Sequence, residues 1–341
     1  METQTNALDP REGHVVSEWK HDRPMNGVRF DPQARYLFGV SEDAVASRFR
    51  LSDGTRTVLS SGFRGWGRTL AFSTDGKFVI TGSTDGNLTW WETAAEPPVP
   101  VSTKVAHKGW VRCMDRSPDG TLIATGGNDN TVCVWNAESG DPVFKFTGHE
   151  GHIYSVLFHP GGQWLLSGDL RGVIHQWDLA TGTAVRTFDA KKLHSYNGGQ
   201  RVDYGGVRSL AVSPDGKWLS AGGLFDASNP FAGVNKPLAL MFDWESREIK
   251  QEHVTDGIRQ GVIWRLQWLA NGTLMGVASG SESMLFFWES ETAGDFHRIK
   301  LPSHARDMDL HPDGLHVATA HHDSHVRIIR LAAKVNTEAG G

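Results

Sequence analysis

The sequence predicts an all-β fold of seven four-stranded antiparallel blades closed into a ring, a seven-bladed β-propeller, and three observations carry that reading. Four segments align without gaps, STDGNLTWW (83–91), GNDNTVCVW (127–135), GSESMLFFW (280–288) and HHDSHVRII (321–329), each a turn followed by an alternating strand that ends in a large residue. Weaker copies put Phe49, Trp177 and Phe242 in the slot held by Trp91, Trp135, Trp288 and Ile329, and the successive spacings are 42, 44, 42, 65, 46 and 41 residues, the period of a propeller blade. Upstream of these ends runs a second pattern, an apolar strand meeting a turn, as in LAFSTDG (70–76), MDRSPDG (114–120), LAVSPDG (210–216) and MDLHPDG (308–314). Asp-Gly and Pro-Asp-Gly between alternating strands are hairpin signals, so each repeat reads as four short strands.

The ends of the chain follow from closure. An open ring would leave strand edges unpaired, so the alternating segment GHVVSEW (13–19) is expected as the outer strand of blade 7, beside the strand ending near Arg330. One propeller domain over 13–331 is expected, with loose tails at 1–12 and 332–341.

Composition agrees with a soluble globular protein. The 39 Gly suit many tight turns, and the 13 Trp are read as wedge-filling core at strand ends. A net charge of −5 gives no global basic field, so nucleic acid is not an expected partner. Cys113 and Cys133 fall in apolar stretches and read as buried thiols, without disulfide framework or zinc spacing. No window approaches 18 apolar residues and METQTNALDPREGH has no apolar core, so neither a membrane span nor an export signal is expected, and the expected location is cytoplasmic.

The repeat resembles the WD40 family over roughly residues 13 to 331. HKGWVRCMDRSPDGTLIATGGNDNTVCVWNAESG (107–140) carries the family's structural tetrad as His107, Thr125, Asp129 and Trp135. Blade 4 offers His149, Ser167 and Trp177, with Arg171 in the acid's slot; blade 2 keeps Thr81, Asp85 and Trp91 but has Phe63 in place of the His; blades 5 to 7 lack most of the set. The resemblance implies that these Ser/Thr–His–Asp sets tie turns together rather than catalyse, since a triad is judged by geometry and not by residue types.

Aligning the inner strands, the residue after the first apolar position is Asn26, Arg68, Arg112, Tyr154, Arg208, Trp264 and Arg306, and two positions earlier stand Trp66, Trp110 and His152. These residues read as a ring around one mouth of the central channel; in WD40 relatives that grip partners the two slots supply much of the contact surface, so the resemblance makes this the expected binding face. The 65-residue spacing adds two insertions to blade 5, 191–206 and 224–236, which open on the same face and carry Tyr196, Tyr204, Phe225 and Phe231. Two readings of the arginines stand. They pair with nearby acids such as Asp115 and Asp307, or they form an electropositive, aromatic-rimmed mouth suited to carboxylates and phosphates.

No phosphate loop, nucleophile elbow or HExxH occurs, and neither AHHDSH (320–325) nor HPDGLH (311–316) matches a known metal spacing. No cofactor, metal or catalytic residue is therefore expected. The expected function is a scaffold or adaptor, monomeric or a subunit of a complex, holding an acidic protein or peptide on the top face. The alternative is an anionic small molecule at the arginine mouth, with Asp203, Asp226 or His194 as a base.

Overall fold

The computed structural model describes residues 7–60, 64–227 and 235–334. Each repeat folds into four antiparallel strands because its turns fall where the sequence supplies them. In blade 3 the strands are Val111–Arg116, Leu122–Gly127, Val132–Asn136 and Pro142–Phe146, hydrogen-bonded in chain order. The Asp119-Gly120 turn between the first two has Gly120 at φ +73°, and a Cβ there would sit 2.7 Å from the Thr74 Cα of blade 2, so both conformation and space require glycine. The middle strands are buried on both faces, because each blade packs between two others, whereas the outermost strands expose one face. Pro100–Val105 of blade 2 alternates strictly between half-buried and exposed positions.

Six blades are continuous in the chain, with inner strands starting at Met25, Gly67, Val111, Ile153, Ser209 and Gly261. The seventh takes Ala305–Leu310, His316–His321 and His325–Arg330 from one end of the chain and its outer strand, His14–Lys20, from the other. Those last two strands pair antiparallel from His14↔Arg330 to Lys20↔His325, one residue along from the expected 13–19. Arg327 locks the pair, its Nε 2.6 Å from Glu18 and its Nη2 2.7 Å from Asp323. Beyond the strands the ends are not loose as expected: Pro10–Glu12 form a 3-10 turn, Asp9 N donates to Leu331 O at 2.9 Å, and Leu331 and Ala332 are buried. The remainder of the two expected tails, 1–6 and 335–341, lies outside the described residues.

The seven strand-end residues, Phe49 to Ile329, are all buried between blades. The tetrad of blade 3 forms one directed chain of hydrogen bonds. Trp135 Nε1 donates to Thr125 Oγ1 at 3.0 Å; Thr125 Oγ1 is 2.9 Å from His107 Nε2; His107 Nδ1 is 2.9 Å from Asp129 Oδ1. A carboxylate only accepts, so the His107 proton sits on Nδ1, and Nε2 accepts from the threonine hydroxyl. Burial lowers the His107 pKa and keeps the ring neutral. Blade 4 has the same chain, which corrects the sequence reading. Its acid is Asp169, not the slot where Arg171 stands: His149 Nδ1 lies 2.9 Å from Asp169, His149 Nε2 lies 2.7 Å from Ser167, and Trp177 Nε1 donates to Ser167 at 2.8 Å. Arg171 pairs instead with Glu150 at the surface. In blade 2, Trp91 donates to Thr81 at 2.9 Å, and Phe63 lies outside the described residues.

The first insertion of blade 5 is not the plain loop expected. A 3-10 turn, Lys191–Leu193, leads into a small hairpin of His194–Asn197 against Val202–Gly205. The second insertion lengthens Trp218–Phe225 and Lys236–Asp243 to eight residues each, and its tip, 228–234 with Phe231, lies outside the described residues. Among the described residues no helix is long and apolar enough to cross a membrane.

Three outcomes test this architecture. Deleting the chain through Lys20 strips blade 7 of its outer strand and should lower the melting temperature of the whole domain, whereas deleting 335–341 should leave it unchanged. Trp135→Ala should cost about 3–5 kcal/mol in urea unfolding, and Thr125→Ala about 1–3 kcal/mol, because it orphans the indole and imidazole nitrogens. His175, His253 and His321 are pulled down to about 4 chiefly by burial, from 6.5 in the unfolded chain. As pH falls from 6.5 towards 4 the unfolded chain binds protons that these folded histidines refuse, so stability drops over that window. Asp309, pushed up to about 6 by burial, and Asp115, raised by burial, work in the opposite sense, but they are two groups against six histidines lowered by burial, His21, His107 and His159 included. Melting temperature should therefore fall through this range, and His321→Gln should flatten the slope.

Candidate partner-binding face at the channel mouth

The residues aligned by sequence come together. Asn26, Arg68, Arg112, Tyr154, Arg208, Trp264 and Arg306 all line one small cavity at the channel mouth. The backbone explains how. In six of the seven blades the inner strand pairs with its neighbour through a β-bulge, and the skipped residue is the mouth residue: Asn26, Arg68, Arg112, Tyr154, Trp264 and Arg306. A bulge re-aims a side chain that regular alternation would place elsewhere. In blade 5 Arg208 directly precedes the strand Ser209–Val212, its N donating to Gly222 O at 2.8 Å.

Across five blades the mouth alternates cation and ring. Arg68 lies 5.7 Å from the Trp110 ring centre; Arg112 lies 5.0 Å from Trp110 and 4.5 Å from Tyr154; Arg208 lies 3.9 Å from Tyr154 and 5.6 Å from Trp264. Guanidiniums attracted to ring π-systems still have N–H groups to offer to acceptors. Arg306 differs: its Nη1 is 2.6 Å from Glu42 and 3.1 Å from Asn26, so the blade 7–blade 1 side of the mouth is neutralised.

The two acids expected to pair with the arginines are engaged elsewhere. Asp115 accepts from Phe158 N at 2.7 Å, and Asp307 lies 2.6 Å from Arg29, 3.9 Å from Arg265 and 3.1 Å from Val28 N. Among the described residues, no carboxylate stands within ion-pair distance of Arg68, Arg112 or Arg208. Arg112 Nε donates to Asn128 Oδ1, and the buried Nε atoms of Arg68 and Arg208 have no partner. Burial, with the charges of Arg112, Arg306 and Arg208 beside it, pulls Arg68 down to about 10. Beneath the mouth Cys113 is half-buried and Cys133 is buried in its own blade; both thiols are free, and burial pushes Cys113 up to about 12.

Other expected residues separate into rim and support. Trp66 is 45% exposed and shares a notch with Trp110, Glu42, Asp43 and Arg64. His152 holds the equivalent slot of blade 4, Nδ1 3.1 Å from Asn130. Tyr204 does not line the mouth: its hydroxyl donates to Ala227 O at 2.5 Å and ties the two blade 5 insertions together. The candidate bases are likewise elsewhere, His194 with Asp203 at 2.8 Å and Asp226 with Lys236 at 2.8 Å. His321 is buried against Thr319 and Ser303, away from the exposed His322, while His311, Asp313 and His316 come within 4.8 Å of one another on a turn at the opposite face. Asp313 is already engaged there by the Leu315 and His316 amides. Sequence reasoning missed Glu42, although a signal existed: it precedes the turn acid Asp43 as Asn128 precedes Asp129.

The model of the WD domain, G-beta repeat, matches residues 67–92, 98–136, 140–178, 191–227 and 297–330, just over half of the chain. Among curated proteins, nuclear distribution protein nudF 2 of Penicillium rubens is 26% identical over 177 residues, which is 47% of this chain and 38% of that protein. Nuclear distribution protein nudF of Aspergillus niger is 28% identical over 192 residues, 50% of this chain and 43% of that protein. Target of rapamycin complex subunit wat1 of Schizosaccharomyces pombe is 30% identical over 56 residues, 16% of this chain and 18% of that protein. The chain spans less than half the length of these relatives. With the repeat matched in five segments on a ring of seven four-stranded blades, the chain belongs to the WD40 family.

Proposed function

We propose that the protein is a non-catalytic interaction scaffold that holds an acidic segment of a partner protein on the arginine-bearing face. The observation that carries this reading is the row of Arg68, Arg112 and Arg208 alternating with Trp110, Tyr154 and Trp264, with no carboxylate within ion-pair distance of the three among the described residues. Three half-buried cations with no counter-ion among the described residues are costly in the free protein and become favourable when a partner supplies the anion. Trp66 and Trp264 on the same rim are residue types that anchor interfaces. Membership of the WD40 family supports a scaffold, and the wat1 relative is by its name a subunit of a complex. Two free thiols fit a reducing compartment, in keeping with a cytoplasmic location.

The small-molecule reading has less behind it. The mouth encloses about 80 Å³, well below the roughly 300–1,000 Å³ of drug-sized ligand sites. His194, Asp203 and Asp226 do not line it.

Charge reversal tests the reading. Arg112→Glu with Arg208→Glu should abolish capture of the partner from native lysate while leaving the melt nearly unchanged. Raising the salt to about 0.5 M should weaken wild-type capture by shortening the screening length below about 10 Å. The control on the opposite face is Glu138→Lys, in an exposed turn; the 92–98 turn is unsuitable, because Glu96 is the 2.6 Å partner of buried Arg48. Undiminished capture by the double variant would falsify the proposal.

A further inference from the structure

We infer that the channel mouth is built to receive a doubly charged phosphoryl group carried on a side chain of the partner segment. The inference rests on the acidic-partner reading and narrows it to one anion chemistry.

Charge count comes first. Arg306 shows what one carboxylate does at this mouth, since Glu42 at 2.6 Å compensates it alone. Three guanidiniums remain. The acids of the floor face other cations: Asp307 lies 2.6 Å from Arg29 and 3.9 Å from Arg265, and Asp309 lies 4.0 Å from Arg29. A carboxylate entering the mouth would neutralise one of the three, whereas a phosphoryl dianion neutralises two and offers three acceptor oxygens. The like charges around Arg68 that pull its pKa down act in the same direction, favouring the more highly charged guest.

Shape comes second. The guanidiniums are confined by rings, Arg112 beside Trp110 and Tyr154, Arg208 beside Tyr154 and Trp264, and Arg68 beside Trp110, which lowers the ordering cost of presenting their N–H groups to oxygen. Arg112 spends its Nε on Asn128, whereas the Nε atoms of Arg68 and Arg208 are buried and unpartnered. A cavity of about 80 Å³ holds one ionic head group and excludes the chain that bears it. That chain must lie outside, across the exposed Trp66.

The experiment compares two capped five-residue peptides on the full chain by fluorescence anisotropy, alanines flanking either phosphoserine or glutamate. At about pH 7.5, above the phosphoryl group's second ionisation near 6, the phosphopeptide should bind at least about tenfold more tightly than the glutamate peptide. That preference should shrink as pH is lowered through about 6, where the phosphoryl group becomes a monoanion. Arg112→Gln and Arg208→Gln should erase it, and Arg112→Lys, which keeps the charge but not the planar fork, should reduce it with the melt unchanged. Inorganic phosphate should compete only at much higher concentration; equal affinity for free phosphate would overturn the assignment to a partner side chain. Equal binding of both peptides, or no binding of the phosphopeptide, overturns the phosphoryl inference. The acidic-partner reading is judged separately, by whether charge reversal abolishes capture.

Discussion

The fold depends on one ladder, the antiparallel pairing of His14–Lys20 with His325–Arg330, because it joins the two ends of the chain inside one blade. Trp19 on that strand also stacks on Phe49 of blade 1 at 5.7 Å, so the same segment that completes blade 7 packs against its neighbour. The wall of the channel is tied in the same sense. Asp307 and Asp309 of blade 7 accept from the backbone of Val28 and Phe30 in blade 1, Asp115 of blade 3 from Phe158 in blade 4, and Ser209 of blade 5 from Leu266 in blade 6. Inner strands therefore do more than pack. Those of blades 3, 5 and 7 offer acceptors to backbone amides of the next blade, and closing the ring brings the blade 7 acceptors onto blade 1.

The mouth is a consequence of that wall. A bulge in nearly every inner strand turns one residue per blade towards the axis, and ring symmetry then gathers those residues whatever their chemistry. Asymmetry comes from the side chains alone. Blades 2 to 6 supply the cation–ring alternation, while blades 7 and 1 supply a compensated pair, Arg306 with Glu42. A pseudo-symmetric ring thus acquires a polar direction, with its uncompensated charge displaced to one side of the axis.

Much of this was legible because the period of 42 residues fixes where strands end, and a strand end fixes which slots share a level of the ring. Trp91, Trp135 and Trp177 mark that period unaided, and the seven mouth residues follow from counting back along each blade. What was not legible depends on contacts between distant parts of the chain. Asp169 does the work expected of the slot at Arg171 because a carboxylate two residues earlier reaches the same imidazole, which spacing within one strand does not reveal. The 191–206 segment reads as a loop because Tyr196 and Tyr204 are separated by a polar, glycine-rich tip, yet its ends pair as strands. Tyr204 reads as an anchor by type but is occupied by Ala227 O. The partners of Asp115 and Asp307 are likewise set across blades, so nearness in sequence to Arg112 and Arg306 misleads.

Building blade 7 from both ends has a consequence for biosynthesis. The strand His14–Lys20 leaves the ribosome early and finds its partner only after Arg330 has been made, a wait of roughly 15–60 s at about 5–20 residues per second. During that interval it is an unpaired edge, and its sequence HVVSEWK suits the delay: Glu18 and Lys20 interrupt the apolar residues that would otherwise invite foreign strands. Up to six blades can form before that strand is used, so the docking of His14–Lys20 is the step that completes the ring. Because Asp9 and Leu331 end up hydrogen-bonded, any polypeptide attached at either end would emerge from the same blade, side by side.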